Sequence, residues 1–388
     1  MTSSRPPQTE LKTELVRIAD YYERVWRTTK QLDSTAVRIL RVIQKLGPRN
    51  LLAVSRYTKI PFSSVYIRIG KMEAAGGPVA FASPNAAKMG LAQAVVLAAA
   101  RPGREDKVTK ALKVPKYWRM VIQAEGGYTH DATYYVPFQY AKAFQQYMKG
   151  LVAKQLAEKT TVIMIGEYLP NDINFDYYDP KRKVWKFSWD DWFSGLSNRK
   201  SAKKIDDPED YKVKVDGRDL EILRQLQIDA RIKFVELAKP IGITLQAVKY
   251  RFDRKLVKNK VIGGYSITTF PYSPEIAAYY HIMVDFPSKY TMNKFYSYLN
   301  ELFFVVGYAK VLNRNSLVLR IIILDSQVPN LFKFLSKLCR RQVVDSYSAL
   351  RLRLDSREKQ TIPIELFDDK NGWSFNLDKY MSGLRKLA

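Results

Sequence analysis

Cysteine and histidine are almost missing: Cys339 stands alone, and His130 and His281 are the two histidines of the chain. An intramolecular disulfide framework, a multi-cysteine zinc or iron–sulfur site and a His-centred triad therefore have little to be built from. Most enzyme classes lose ground, so the expectation is a binding protein rather than an enzyme, with no cofactor. Long apolar runs are missing too. Nothing approaches the roughly 18 apolar residues of a membrane helix, and Met1–Glu10 is Pro/Ser-rich without an apolar stretch. The expected place is the cytoplasm, away from membranes. Gly and Pro, 18 each, are too few for a low-complexity chain. Acidic residues are scarce relative to basic ones. Asp and Glu number 38 against 64 Lys and Arg, a net charge of +26, and such an excess favours a polyanionic partner.

What is present repeats itself. The 388 residues leave room for two to four compact units at about 100–200 residues each. Asp33–Ser–Thr–Ala–Val–Arg–Ile–Leu–Arg is answered by Asp216–Gly–Arg–Asp–Leu–Glu–Ile–Leu–Arg, a shift of 183 residues (216 − 33). At the same shift Val65 meets Val248 and Arg68 meets Arg251. Trp185–Lys–Phe–Ser–Trp–Asp–Asp–Trp–Phe–Ser–Gly–Leu is matched by Trp373–Ser–Phe–Asn–Leu–Asp–Lys–Tyr–Met–Ser–Gly–Leu, a shift of 188 (373 − 185). Both ends of a long unit are duplicated, in the same order.

The divisions follow. Residues 1–30 carry Leu11, Leu15, Ile18, Tyr22, Val25 and Trp26 at helical spacing, one apolar stripe. Residues 31–84 and 214–272 each read as a winged helix-turn-helix. Residues 85–196 and 273–388 follow as α+β units, and the charged 197–213 reads as a mobile linker.

In the second copy Asp216 caps a helix carrying Leu220, Ile222, Leu223 and Leu226. Phe234–Ala238 makes a short second helix, stopped by Pro240 and by Gly242 in the turn. Thr244 opens a third helix with Val248 and Phe252 inward. Val261–Phe270 reads as a β-hairpin wing. The first copy repeats the scheme with Ser34–Leu46, Asn50–Thr58 and Phe62–Ala74. A third helix of this kind reads base edges in the major groove and holds phosphates with flanking cations. Thr244, Gln246, Lys249 and Tyr250 are the expected base readers; Arg251, Arg254, Lys255 and Lys258 are the expected phosphate anchors. Ser63, Ser64, Tyr66, Arg68 and Lys71 take these roles in the first copy.

Asp216–Lys239, Gly242–Ile–Thr and Val248–Lys–Tyr–Arg–Phe–Asp–Arg–Lys–Leu resemble the helix-turn-helix of the Lrp/AsnC (feast/famine) transcription regulators, and the first copy is weaker but collinear. The resemblance implies a sequence-specific double-stranded DNA-binding regulator with a ferredoxin-like βαββαβ domain after each helix-turn-helix. The sequence supplies that order independently: Leu91–Ala100, Glu105–Leu112, Tyr117–Ala124, Ala132–Val136, Gln139–Leu156 and Thr161–Tyr168, then Ala277–Phe286, Asn293–Leu302, Val305–Val311, Leu317–Leu324, Pro329–Cys339 and Asp345–Leu354. The fold class is thus α+β, a tandem duplication of winged helix-turn-helix plus ferredoxin-like domain. The Trp-rich ends of both copies extend past the family's usual limit.

Family members pair their sheets face to face. A tandem chain forms that pair internally, which predicts a pseudo-two-fold monomer with half-sites about 34–36 Å apart, leaving room for further self-association. The family's effectors, amino acids among them, sit near the turn between the second and third sheet strands. Gly126, Gly127, Tyr128 and Asp131 partly resemble that site, with the carboxylate displaced.

Two rivals stand beside this reading. Siroheme decarboxylases resemble the same two-part architecture, which would ask His130 and His281 to serve a tetrapyrrole; but His130 falls in an expected turn and His281 in an apolar strand, where a core histidine is commoner. A sequence-independent architectural or RNA-binding protein would stack bases on Tyr117, Trp118, Tyr134 and Tyr135, although sheet packing is the commoner use.

Overall fold

The computed structural model describes residues 32–74, 79–198, 203–268, 272 and 274–388. The expected N-terminal helix lies outside the described residues. The first helix-turn-helix consists of α1 (Ser34–Leu46), α2 (Leu51–Thr58) and α3 (Phe62–Ala74). Asp33 caps α1, accepting the Ala36 N–H at 2.9 Å, and Asn50 caps α2 through the Ala53 N–H at 3.0 Å. Ala36, Ile39, Leu40, Val54, Val65 and Ile69 close the three helices over one core. A strand, β1 (Val79–Pro84), follows.

The first ferredoxin-like unit runs β2 (Leu91–Ala100), α4 (Glu105–Lys113), β3 (Trp118–Glu125), β4 (His130–Pro137), α5 (Ala141–Ala153) and β5 (Ala157–Ile165), with sheet order β5-β2-β4-β3. After it come β6 (Leu169–Pro170), the hairpin of β7 (Tyr178–Asp179) and β8 (Val184–Trp185), and α6 (Trp189–Asn198). The second helix-turn-helix is α7 (Gly217–Leu226), α8 (Phe234–Ile241) and α9 (Leu245–Tyr250), which widens into a π-helical segment over Arg251–Val257 before β9 (Ile262–Thr268). The second unit runs β10 (Ala277–Asp285), α10 (Lys289–Tyr298), β11 (Val305–Lys310), β12 (Ser316–Leu324), α11 (Val328–Arg340) and β13 (Ser346–Leu352), in order β13-β10-β12-β11. It ends with β14 (Glu358–Lys359), the hairpin of β15 (Phe367–Asp368) and β16 (Gly372–Trp373), and α12 (Leu377–Arg385). Both units are split βαβ folds and match the expected element order.

The copies are laced together. The two antiparallel sheets join at both edges: Arg351 and Leu352 of β13 pair with Glu125 and Ala124 of β3, and Ile165 bridges to Val311 on the other side. An open edge with unpaired N–H and C=O groups is a liability, and here each sheet covers the edges of the other. The tails then change sides, β6 pairing with β11 and β14 with β3. Trp192 of α6 is fully buried against Phe303 and Phe304 of the second unit. Tyr380 of α12 meets Tyr147 of the first at 6.3 Å between ring centres. Sequence reading expects the Trp-rich ends to dock; the structure shows that each docks on the other copy.

Two expectations are corrected. Residues 262–268 form no hairpin wing: β9 pairs with β1 of the other copy, from Val79↔Thr268 to Ser83↔Gly264, in a ribbon that joins the two helix-turn-helix units. The alternation seen in the sequence is real, but its pairing partner lies far away in the chain. Residues 203–213 are not a loose linker either. Ile205 is buried and its N–H donates to Asn293, Lys310 and Lys289 bind Asp207 and Asp206, and the Lys214 N–H donates to the Lys88 carbonyl. The charges that suggested mobility are anchors.

Between the sheets the two copies have diverged. Asp131 of β4 is fully buried; Arg320 of β12 grips it in bidentate fashion at 2.6 and 3.0 Å, and His281 of β10, directly opposite Arg320 in the strand register, hydrogen-bonds to it through Nδ1. Burial works against the charged carboxylate, yet Arg320 and His281 hold Asp131 well below the usual carboxylate range. At the positions related by the pseudo-two-fold, Val95 and Val318 pack together in an apolar cluster. Breaking a buried pair by removing one partner leaves an uncompensated charge. Asp131→Asn should therefore destabilise the protein by about 3–5 kcal/mol, read as a lowered midpoint in urea unfolding; an unchanged midpoint would show that the network carries no stability.

Candidate nucleic-acid interface and central cavity

The third helices present their outer faces to solvent. Ser63, Ser64, Tyr66 and Lys71 are exposed on α3, and Thr244, Gln246, Lys249, Tyr250, Arg254 and Lys258 on and beyond α9, with Lys255 half-buried. The inner faces are fixed by Val65 and Ile69 in one copy and by Val248, Phe252 and Leu256 in the other. The hydroxyl of Thr244 accepts the Ala247 N–H at 3.1 Å and starts the helix. Gly242 occupies the turn with φ +68, where a side chain is strained, and Lys59 takes the same left-handed conformation in the first copy at φ 53.

Arg251 and Arg68 differ from expectation. Arg251 binds Asp216 and Asp219 at 2.7 Å each, tying the third helix to the cap of the first. Arg68 pairs with Asp33 at the related position. Neither guanidinium reaches outward to a phosphate. Burial opposes ionisation of Asp216, but Arg251 and the Asp219 N–H hold it below its ordinary value, whereas burial pushes Asp219 up. The reason for the misassignment is geometric: an arginine three residues after the inward Val248 reaches back along the helix toward the first helix.

The two helix-turn-helix units also touch each other. Arg49 donates to the carbonyls of Ala230 at 2.6 Å and Ile232 at 3.0 Å, and its guanidinium lies 4.3 Å from the centre of the Phe234 ring. Arg231 pairs with Glu73, and the Ala230 N–H donates to the Ala80 carbonyl. With the ribbon of β1 and β9, these contacts fix one unit against the other.

The expected effector turn is corrected. Gly126 and Gly127 do make the turn, but Tyr128 is tied to Thr161 and lies under Lys159. Asp131 is buried and already paired, so it has no free oxygen to offer an amino acid. His130 is not in a turn: it begins β4, fully buried between Thr109 and Thr129, and burial pushes its pKa down to about 4. His281 is the hydrogen-bonded core histidine expected of its strand. Tyr117, Tyr134 and Tyr135 are buried and offer no base-stacking platform.

A cavity of about 440 Å³ lies where the ribbon, the sheets and both helix-turn-helix units meet. Phe81, Ser83, Tyr265 and Ile267 of the ribbon form one side, and Gln44 of α1 and Gln227 after α7 reach its rim. Arg119, Arg320, Arg357 and Lys359 bring cations; Tyr168, Pro170, Asp172 and Val306 stand on the opposing elements. Arg119 donates to the Gln360 carbonyl and its guanidinium lies 4.8 Å from the Tyr135 ring centre. Lys359 is reached by water, yet the surrounding protein lowers its pKa to about 8. Sequence reading missed this site because its residues come from many segments scattered over both copies. One signal was visible: Arg320 interrupts the apolar run Leu317–Leu324.

Residues 215–254 match the AsnC-type helix-turn-helix domain. Among curated proteins none matches the chain. The siroheme decarboxylase NirDL matches in structure with a TM-score of 0.54 at 11% identity, covering 90% of this chain and 97% of that one. The same enzyme in complex with an iron-uroporphyrin III analogue gives 0.55 at 12% identity, covering 91% and 98%. An AsnC family transcriptional regulator from Agrobacterium tumefaciens covers 37% of this chain and 98% of its own, at 18% identity and a TM-score of 0.29. The chain thus carries an AsnC-type helix-turn-helix within a duplicated α+β fold. The expectation of a protein that is not an enzyme is overturned: two solved structures that match over about nine-tenths of the chain are those of an enzyme.

The pairing of Arg251 yields a clean contrast. Arg251→Met should lower stability by about 1–3 kcal/mol, because Asp219 loses a buried partner, whereas Arg254→Met should leave it unchanged. Thermal unfolding of both variants checks this; equal, negligible effects would return Arg251 to the surface.

Proposed function

We propose that the chain is a double-stranded DNA-binding regulator of the cytoplasm that uses its two helix-turn-helix units as one rigid pair. The observation that carries this reading is the joint exposure of the two third helices on units locked together by Arg49 and by the ribbon. Gln246, Lys249 and Tyr250 read base edges, with Ser63, Ser64 and Tyr66 as their counterparts. Arg254, Lys255, Lys258 and Lys71 hold phosphates. The net charge of +26 supplies the long-range attraction. Electrophoretic retardation with a selected fragment, random duplex and single-stranded RNA tests it. Arg254→Glu should weaken binding to every duplex, while Gln246→Ala should change preference among them, by about 1–3 kcal/mol for a bidentate contact. Equal retardation of RNA and duplex, unaffected by either change, would contradict the reading.

A second reading is favoured by the cationic cavity together with the enzyme-like fold: a tetrapyrrole carboxylate held in the cavity and decarboxylated there. Incubation with siroheme, followed by mass spectrometry, tests it. A product lighter by carbon dioxide supports this reading; unchanged siroheme counts against it.

A further inference from the structure

The cavity is asymmetric in a way the duplication does not require. The strand registers relate Arg119 to Val306, Lys359 to Pro170 and Arg320 to Thr133 across the pseudo-two-fold. In each pair the cation stands on one side and an uncharged residue on the other. Arg119 and Lys359 lie on neighbouring strands, since Lys359 pairs with Met120, and among the described residues no carboxylate pairs with either. Arg320 is different, its charge being taken up by Asp131. Asp172, the acid of the opposing wall, is pushed toward its neutral form by burial. A recessed guanidinium without a counter-charge costs free energy, which an anion arriving at the site would recover.

We propose that this cavity binds a small organic anion, its carboxylate or phosphate group against Arg119 and Lys359 and its apolar body against Tyr168, Val306 and Ile322, and that occupancy changes how the helix-turn-helix pair is held. The second half rests on the DNA-binding reading. Coupling has a direct route, because Phe81, Ser83, Tyr265 and Ile267 of the ribbon line the cavity and the same ribbon joins the two units. A ligand there touches the element that sets their relative position. Its effect on DNA affinity is the difference between its affinities for the two arrangements.

The probe is 1-anilinonaphthalene-8-sulfonate, a compact aromatic anion whose fluorescence rises in apolar surroundings, with phenyl phosphate and 3-phenylpropionate as competitors that separate phosphate from carboxylate. Wild-type protein should show one saturable site. Arg119→Met and Lys359→Met should each weaken it tenfold or more, and Lys181→Met, on the exposed β7–β8 turn, should not. Circular dichroism verifies folding, and Lys359→Met serves alone if the change at half-buried Arg119 disrupts it. Saturating probe should shift the DNA-binding midpoint of wild type at least fivefold and leave that of Lys359→Met in place. Equal probe affinity in all variants overturns the site. Cavity-dependent binding without a shift in the DNA midpoint overturns the coupling. Cavity-dependent binding in a protein that retards no duplex upholds the site and refutes the DNA-binding reading instead.

Discussion

Backbone pairing between the two halves of the chain is the constraint from which the rest of the architecture follows. Neither ferredoxin-like sheet is complete at its edges, and among the described residues neither helix-turn-helix has a wing of its own. The missing partner is always the other copy: β13 for β3, β9 for β1, β6 for β11 and β14 for β3. Because the bonds are mutual, the halves cannot separate without exposing several rows of unsatisfied N–H and C=O groups. Covalent linkage makes that pairing intramolecular. The docked tails, with Trp192 and Tyr380 seated in the opposite unit, add apolar burial to the same lock.

Fusing a pair into one chain frees its halves to diverge, and the interior shows the result. One side of the pseudo-two-fold holds Asp131, His281 and Arg320; the other holds Val95 and Val318. The cavity follows the same rule, with Arg119 and Lys359 answered by Val306 and Pro170. A symmetric dimer of identical chains would place cations on both walls and pay their mutual repulsion. The duplicated chain places Arg119 and Lys359, which no carboxylate pairs among the described residues, on one wall opposite Val306 and Pro170, an arrangement suited to an asymmetric ligand.

Much of this fold was legible in the sequence. The 183-residue shift located both helix-turn-helix units, and the apolar periodicities of Leu91–Ala100 and Leu317–Leu324 located central strands. What sequence could not supply was pairing. Val261–Phe270 alternates as a strand should, but alternation does not say whether the neighbour is ten residues or 180 residues away. Charge was misleading for the same reason: Arg251 and Arg68 look like phosphate contacts and Asp206 and Asp207 look solvated in a linear reading, and all four are in fact ion-paired to residues distant in the chain. Asp131 looked like a ligand for an effector until its partners on the other copy came into view. The candidate DNA-reading side chains were accessible to sequence because one helix carries them. The cavity was not, because the ribbon, two sheets and both tails must assemble before Arg119 and Lys359 meet.

DNA binding as proposed requires the two third helices to act together on one face of the double helix. Hydroxyl-radical footprinting on a duplex selected from a random pool is the direct measurement. Two protected patches per bound chain are expected, on the same face and one helical turn apart, about 34–36 Å, with both lost together when Arg49 is changed to Met. A single protected patch, or protection spread evenly along any duplex, would contradict the proposed binding.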